Sequence, residues 1–323
     1  MRAVRIHDTG GVDMLRDDDI DIPAPKTGEA LVKLGASGVN FIDTYHRTGL
    51  YRLPLPLTLG QEGAGTVTAV GDGVTTVQVG DRVAYQGVQG SYAEYAVVPA
   101  DRLVSVPDGV SLDQAAAVML QGITAHYLAT STYPLSVGDI CLVHAAAGGV
   151  GLLLCQIATM RGAHVIGTVS TAKKAALAKG AGAHDVINYT THDFVDEVKR
   201  ITHGRGGVQV VYDSVGKTTF EKSLDVLVRR GTLVSFGQSS GAVGTFDPLL
   251  LSRKGSLYLT RPTTGDYVAT RDELLRRTHD LFEWVRDGRL TVRIDRAIPL
   301  TQAADAHRAL ESRATSGKVL LIP

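Results

Sequence analysis

A run of small residues follows an apolar stretch near the middle of the chain. Cys141-Leu142-Val143-His144 leads into Ala145-Ala146-Ala147-Gly148-Gly149-Val150-Gly151. Ala145, Gly148 and Gly151 hold the three small positions of an A-x-x-G-x-x-G pattern. Small side chains let the backbone turn tightly, approach a pyrophosphate and pack a helix closely on a strand. The first N–H groups of the helix that follows lack intrahelical partners and attract phosphate. The chemistry is dinucleotide binding, carried by Ala147, Gly148, Gly149, Val150 and Gly151. A glycine turn made only for close packing is the alternative. A strand before the turn, a helix after it and another strand at 163–169 favour the nucleotide.

The next strand lacks a residue that an NAD site would need. An Asp or Glu at its end usually holds the ribose diol. Here no Asp or Glu occurs between Asp139 and Asp185, and the strand runs out through Val169-Ser170-Thr171-Ala172-Lys173-Lys174. A carboxylate would repel a 2′-phosphate, whereas a hydroxyl and an ammonium bind one. Ser170 and Lys174 are the candidates for that phosphate, and NADPH is expected over NADH. Lys173 reads as a solvated residue of a first helical turn.

A sheet must carry these residues. Apolar strands are expected near 140–144, 163–169, 185–188, 208–213 and 231–236, alternating with helical segments. That alternation predicts a doubly wound parallel sheet covered on both faces, the Rossmann α/β arrangement. Residues 1 to about 120 read differently, as short strands near 30–34, 65–70, 81–85 and 93–98 broken by Gly, Pro and Asp. Ser111 is placed to cap a helix beginning near Leu112. Thr270 with Glu273 makes a capping-box pattern ahead of a helix reaching Val285. A helix near 301–310 and a strand at 318–322 end the chain. The simplest organisation inserts the parallel-sheet unit into a β-rich unit to which the last segment returns.

Composition narrows the function classes. The chain has 323 residues, 44% hydrophobic and 20% charged, with 33 basic and 33 acidic residues. Such a balance offers no electrostatic reason to expect nucleic acid or an anionic membrane as the main partner. The only cysteines, Cys141 and Cys155, cannot staple two domains and read as reduced thiols. No signal peptide is read in the polar N-terminus, and no apolar run nears the roughly 20 residues of a membrane helix. A cytoplasmic enzyme is the expectation.

Further motifs carry a family resemblance. They are GVNFIDTYHRTGLY from Gly38 to Tyr51, GQEGAGTV from Gly60 to Val67, AAAGGVG from Ala145 to Gly151 and VVYDSVG from Val210 to Gly216. LVSFGQSSG from Leu233 to Gly241 and LESRATSGKVLLIP from Leu310 to Pro323 complete the set. On these the whole chain resembles the zinc-free quinone oxidoreductases, zeta-crystallin-like proteins of the medium-chain dehydrogenase/reductase superfamily. The resemblance implies a GroES-like catalytic domain of residues 1–122 and 263–323 around a Rossmann NADPH-binding domain of residues 123–262. Zinc-bearing members of the superfamily carry Cys where this chain has Asn40 and His-Glu where it has Gln61-Glu62. A catalytic zinc wants about three Cys, His or carboxylate ligands, so none is expected.

The resemblance also implies a site. Asn40, Asp43 and Tyr51 would line the acceptor pocket, with an amide or phenol donating to the acceptor oxygen. Thr124, Tyr189, Ser214, Phe236, Gly237 and Arg313 would contact the cofactor, Arg313 as a cation for the 2′-phosphate. Each has a plainer alternative. Asn40 satisfies a turn, Asp43 caps a helical turn, Tyr51 anchors a loop and Arg313 closes a helix. His144 reads as a core residue, and His46 has no evident partner.

The activity implied is NADPH-dependent reduction of a quinone without metal. An electron-poor ring accepts reducing equivalents directly, so catalysis is mainly placement. An NADPH-dependent alkenal or enone reductase would use the same parts. A crystallin-like or RNA-binding role is the non-enzymatic alternative, and the zero net charge speaks against a dedicated nucleic-acid surface. Gly255–Thr260 reads as an exposed edge strand, and the resemblance implies a homodimer that pairs this edge, residues 255–260, across a two-fold axis; a monomer whose edge is covered by a helix or loop is the alternative.

Overall fold

The structure, a computed structural model, describes residues 1–323. It comprises two compact units, Met1–Ile123 with Val268–Pro323, and Thr124–Tyr267.

The first unit opens with β1 (Arg2–Ile6), β2 (Arg16–Asp19), β3 (Glu29–Val39), helix α1 (Phe41–Thr48) and β4 (Leu57–Thr58). Then come β5 (Glu62–Val70), β6 (Arg82–Gln86), β7 (Tyr95–Pro99), β8 (Val104–Ser105) and helix α2 (Leu112–Tyr127), inside which the unit boundary falls. The second unit holds β9 (Ile140–Val143), α3 (Gly149–Met160), β10 (His164–Val169), α4 (Ala172–Gly180), β11 (Asp185–Asn188) and α5 (Phe194–Ile201). It continues with β12 (Val208–Asp213), α6 (Phe220–Leu224), β13 (Leu227–Ser235), α7 (Leu249–Arg253), β14 (Tyr258–Thr260) and α8 (Thr264–Tyr267). The chain returns to the first unit with α9 (Arg271–Arg286), β15 (Ile294–Pro299), α10 (Ala303–Glu311) and β16 (Lys318–Ile322).

All strands of the second unit lie parallel in the order β11-β10-β9-β12-β13-β14. Ile140, Leu142, Ile166, Val211 and Leu233 from its strands are buried with Phe194, Val198 and Leu224 from its helices. Continuous apolar strands such as Ile140-Cys141-Leu142-Val143 suit this placement, since both faces of a parallel sheet are covered.

The first unit is mostly antiparallel, with a seven-stranded sheet ordered β15-β16-β3-β5-β6-β8 and β7 paired to β3. The long β3 serves three partners, and its register against β5 shifts between Leu31 and Val32 and again between Leu34 and Ala36. Such bulges bend and re-aim a strand. A small sheet ordered β2-β1-β4 packs Val4 and Ile6 with Leu300, Ala306 and Leu321.

Both expected caps form. The Gln114 N–H donates to Ser111 Oγ at 3.1 Å, and the Glu273 N–H donates to Thr270 Oγ1 at 3.2 Å. Two expectations change. The edge strand expected at 255–260 shrinks to Tyr258–Thr260, because Gly255 (φ +115°) and Ser256 (φ +55°) leave extended backbone to close the turn after α7. The return expected at residue 263 comes at Val268 instead. Helix α8 stays with the second unit, where Tyr267 stacks on Tyr127 with ring centroids 4.2 Å apart.

Candidate functional site

The parallel strands of the second unit all end at one edge, and the neighbours of β9 lead away on either side. At such an edge, beside the reversal of strand order, open α/β sheets bind ligands. The glycine turn joins β9 to α3 there. Gly148 caps α3 in extended conformation, and Gly148, Gly149 and Val150 remain partly exposed at the helix start. A Cβ on Gly151 would collide with the Ala145 carbonyl and the Ala146 backbone, so the turn closes only with glycine. Ala145 itself takes φ +52°, a left-handed value that favours glycine. Ala147 is buried just behind the cap.

The other expected cofactor residues of this unit fall along the same edge. Val169 pairs with Asn188, which puts Ser170 beside Tyr189, and the Tyr189 N–H donates to Val169 O at 3.0 Å. The Tyr189 ring is exposed. Thr171, not Ser170, caps α4 by accepting the Lys174 N–H at 3.2 Å, and Lys174 lies half-buried while Lys173 is exposed. Ser214 follows β12, and Phe236-Gly237 follows β13. A Cβ on Gly237 would come within 2.6 Å of Ser214 O, so these two turns touch through backbone. Thr124 is buried at the start of the unit, its hydroxyl 3.5 Å from that of Thr264. Bare backbone at a helix start, with a hydroxyl and an ammonium at the end of the next strand, fits a phosphorylated dinucleotide.

Two residues that shape this edge escaped the sequence reading. Asp213 Oδ1 accepts the N–H groups of Val215 (2.7 Å) and Gly216 (3.0 Å), and its Oδ2 accepts the Thr219 hydroxyl (2.7 Å). It thereby shapes the turn that carries Ser214. Arg261 Nη1 donates to the carbonyls of Ser235 (2.8 Å) and Gly237 (3.1 Å). A lone Asp at a strand end and an Arg before a proline give no local sign of these roles. His144 is a core residue, with Nδ1 2.9 Å from Thr168 Oγ1 and Nε2 3.0 Å from Ser223 Oγ. Arg313 is not among the residues this sheet carries. It belongs to the first unit, where it follows α10 with φ +59° and its N–H reaches Leu310 O at 3.1 Å, as expected of a helix-closing residue.

The first unit gathers a different chemistry. Asn40 follows β3, caps α1 and is only 4% exposed. Its Nδ2 donates to Glu62 Oε2 at 2.7 Å, and its Oδ1 accepts from Lys318 Nζ at 2.9 Å. Glu62 and Lys318 form an ion pair sealed from solvent. Glu62 Oε1 also accepts the Leu120 N–H of α2 at 2.6 Å. A Cβ on Gly38 would collide with both members of the pair, so glycine is needed there. The Asn40 amide thus bridges two buried charged groups. Asn40, Gln61 and a Glu62 already paired to an ammonium make a poor donor set for zinc.

Asp43 is fully buried at the third position of α1. Its Oδ2 accepts the Asn40 N–H at 2.8 Å and the Tyr92 hydroxyl at 3.1 Å. This is the capping alternative, and the carboxyl lines no open surface. Behind it Tyr92 Oη meets His307 Nε2 (3.1 Å), and His307 Nδ1 meets Arg47 Nη1 (3.1 Å). Arg47 also pairs with Glu311, Nη2 to Oε1, at 2.6 Å. A guanidinium only donates, so Nδ1 accepts and Nε2–H donates onward to Tyr92. Burial and Arg47 lower the His307 pKa to about 3, which keeps the ring neutral as this order requires.

Tyr51 remains 39% exposed. Its ring meets Tyr45 edge-on at 5.3 Å and His46 at 6.2 Å, while its carbonyl receives His46 Nδ1–H at 3.0 Å. The backbone is anchored, as the loop-anchor alternative expects, and the ring faces outward. His46, which had no evident partner in sequence, is the anchor.

Asp43 gives a measurable consequence. Burial pushes its carboxyl up to about 7, against the Asn40 N–H, the Tyr92 hydroxyl and Lys318, which favour the ionised form. Between the ordinary 3.8 and about 7 the folded protein keeps a proton that the unfolded chain has released. Stability from this group therefore falls as pH rises across that window and levels off above it. Asp43→Asn, neutral at every pH, is expected to gain stability relative to the parent as pH goes from about 5 to about 8. Thermal melts of both proteins across that range check this. A pH-independent difference would mean that Asp43 is ionised throughout.

Known proteins share these features. An alcohol dehydrogenase GroES-like domain model matches residues 26–108, and a zinc-binding dehydrogenase model matches residues 149–273. Quinone oxidoreductase 1 of Escherichia coli strain K12 is 47% identical, with 99% of each chain covered. A 2-haloacrylate reductase from Burkholderia sp. is 41% identical over 99% of this chain and 98% of its own. The crystal structure of Escherichia coli quinone oxidoreductase complexed with NADPH superposes with a TM-score of 0.98 at 46% identity, over the whole of both chains. With both units matched and the identity sustained from end to end, the chain belongs to the quinone oxidoreductases of the medium-chain dehydrogenase/reductase superfamily.

Proposed function

We propose that the protein is an NADPH-dependent quinone reductase that works without metal. One observation carries the reading: the glycine turn and an acid-free strand end with Ser170 and Lys174 share one sheet edge. The kinship with an NADPH-bound quinone oxidoreductase supports it. In this reading the N–H groups of residues 148–151 hold the pyrophosphate, and Ser170 and Lys174 hold the 2′-phosphate. Tyr189 packs on the adenosine, while Ser214, Phe236 and Gly237 border the dinucleotide and Thr124 contacts the carboxamide. Bound NADPH supplies the reducing equivalents. Tyr51, with an exposed ring on an anchored backbone, orients the acceptor through its hydroxyl. Metal independence is supported by a donor set of two amides and a carboxylate already paired to Lys318.

The second reading, reduction of an activated double bond, is favoured by the kinship with a 2-haloacrylate reductase. No helix is long and apolar enough to cross a membrane. A cytoplasmic location accords with two buried free thiols, Cys141 and Cys155. A homodimer is supported by β14, an edge strand whose Tyr258 is 62% exposed.

NADPH oxidation with a panel of quinones, set beside 2-haloacrylates and alkenals, tests the function. Higher kcat/KM for the quinones is expected, and turnover of the double-bond substrates alone would overturn it. Lys174→Ala is expected to raise the NADPH dissociation constant about tenfold, the weight of one charge-assisted hydrogen bond, with NADH nearly unchanged. Equal weakening of both cofactors would remove Lys174 from the 2′-phosphate. Sedimentation is expected to give twice the chain mass of 34.2 kDa, and a monomer mass would contradict the edge pairing.

A further inference from the structure

Strand β13 departs early from its neighbour. Val208 of β12 pairs with Leu227 and Val210 pairs with Thr232, so Val228-Arg229-Arg230-Gly231 loops out of the ladder between them. Extra residues of this kind bend a strand and re-aim its side chains. Arg229 and Arg230 are the exposed ones. Arg230 takes φ +61°, a left-handed value that crowds a Cβ and that glycine would adopt more readily. A left-handed arginine in a looped-out segment is backbone strain that packing does not explain.

The neighbouring loops add to it. The Arg230 N–H donates to Gly255 O at 2.8 Å, and a Cβ on Gly255 would meet the Arg229 side chain at 3.3 Å. Both arginines therefore lie against the turn after α7, where Arg253 is exposed. A Cβ on Gly207 would collide with Val226 O, which brings up the loop that carries exposed Arg205. Three loops thus meet where β12, β13 and β14 start, at the end of the sheet opposite the glycine turn. None of the four guanidiniums has a carboxylate partner in the chain. Asp225, the acid nearest to Arg229 in sequence, is paired with Lys254.

Uncompensated charges along the starts of three strands span about 10 Å. One small anion cannot meet them all. A flexible chain with carboxylates at intervals can, and each guanidinium fork takes a carboxylate through two N–H groups. Nucleic acid fits less well. Basic and acidic residues number 33 each, so the molecule lacks the net positive field that draws a polyanion from a distance.

We propose that this end of the sheet is a docking surface for an acidic segment of another protein, whose carboxylates pair with Arg229, Arg230 and Arg253 and, at the rim, with Arg205. The surface is at the opposite end of the strands from the cofactor edge, so the inference does not depend on which acceptor is reduced.

Fluorescence anisotropy of a labelled hexaglutamate peptide with the full chain, at about 50 mM salt to limit screening, tests it. Saturable binding is expected, weakened about tenfold in Arg229→Ser/Arg230→Gly. Glycine at position 230 also suits the left-handed backbone, so this variant keeps the fold. Lys33→Ser/Arg276→Ser removes two exposed charges from the other unit and is expected to bind the peptide as the parent does. Hexathymidylate, of similar charge, is expected to compete poorly. Absence of saturable hexaglutamate binding would overturn the proposal. Equal weakening in both double variants would overturn it too, by reducing the effect to overall charge. Tighter binding of hexathymidylate than of hexaglutamate would replace the protein partner with a nucleic acid.

Discussion

The Glu62 carboxylate is the point on which the first unit turns. It sits fully buried at the start of β5 and meets the Lys318 ammonium from β16, the Asn40 amide from the β3–α1 junction and the Leu120 N–H from α2. A buried carboxylate is costly unless its oxygens are met, and here three separate stretches of chain meet them. Remove one partner and the rest hold an uncompensated charge. The same contacts therefore fix the sheet, the start of α1 and the middle of α2 in one register. Gly38 belongs to this constraint, since any side chain there would displace the pair.

The two units approach polar chemistry in opposite ways. The second presents bare backbone: N–H groups at the start of α3, turns bare of side chains at Gly151 and Gly237, and a strand end from which carboxylate is absent. Such a surface is ready for anionic phosphate and needs little reorganisation. The first unit binds its own side chains into directional chains of donors and acceptors. One runs from Glu62 and Lys318 through Asn40 to Gln121. The other runs from Arg47 through His307 and Tyr92 to Asp43. Both hold α1 rigid, so that Tyr51, just past its end, presents a ring from an anchored backbone. For a reaction that depends on placement, that rigidity is the protein's contribution.

Much of this was legible in the sequence, for reasons that differ by element. The strands at 185–188 and 208–213 fall where they were expected, and both helix caps form as read from Ser111 and from Thr270 with Glu273. The turn from β9 into α3 was legible because its signal is local, a run of small residues between a strand and a helix. β1, β2 and β15 were not, since runs such as Arg2–Ile6 interleave charge with apolar residues over a short span. The edge strand was overestimated because composition does not reveal that Ser256 takes a left-handed φ. Lys318 was invisible for a deeper reason. In sequence it reads as the solvated start of a strand, and its partner Glu62 lies 256 residues away. Asn40 and Asp43 were found by resemblance, but only their neighbours in space show that one is bound between charges and the other caps a helix.

The central claim is that a sealed, mutually dependent charge pair organises the first unit of the protein. A double-mutant cycle on unfolding free energy tests it most directly, using Glu62→Gln, Lys318→Met and the two combined. Each single change is expected to cost about 3–5 kcal/mol, with the combined protein far closer to the parent than the sum of the two. Small, additive losses would contradict the account, because they would mean that neither charge depends on the other.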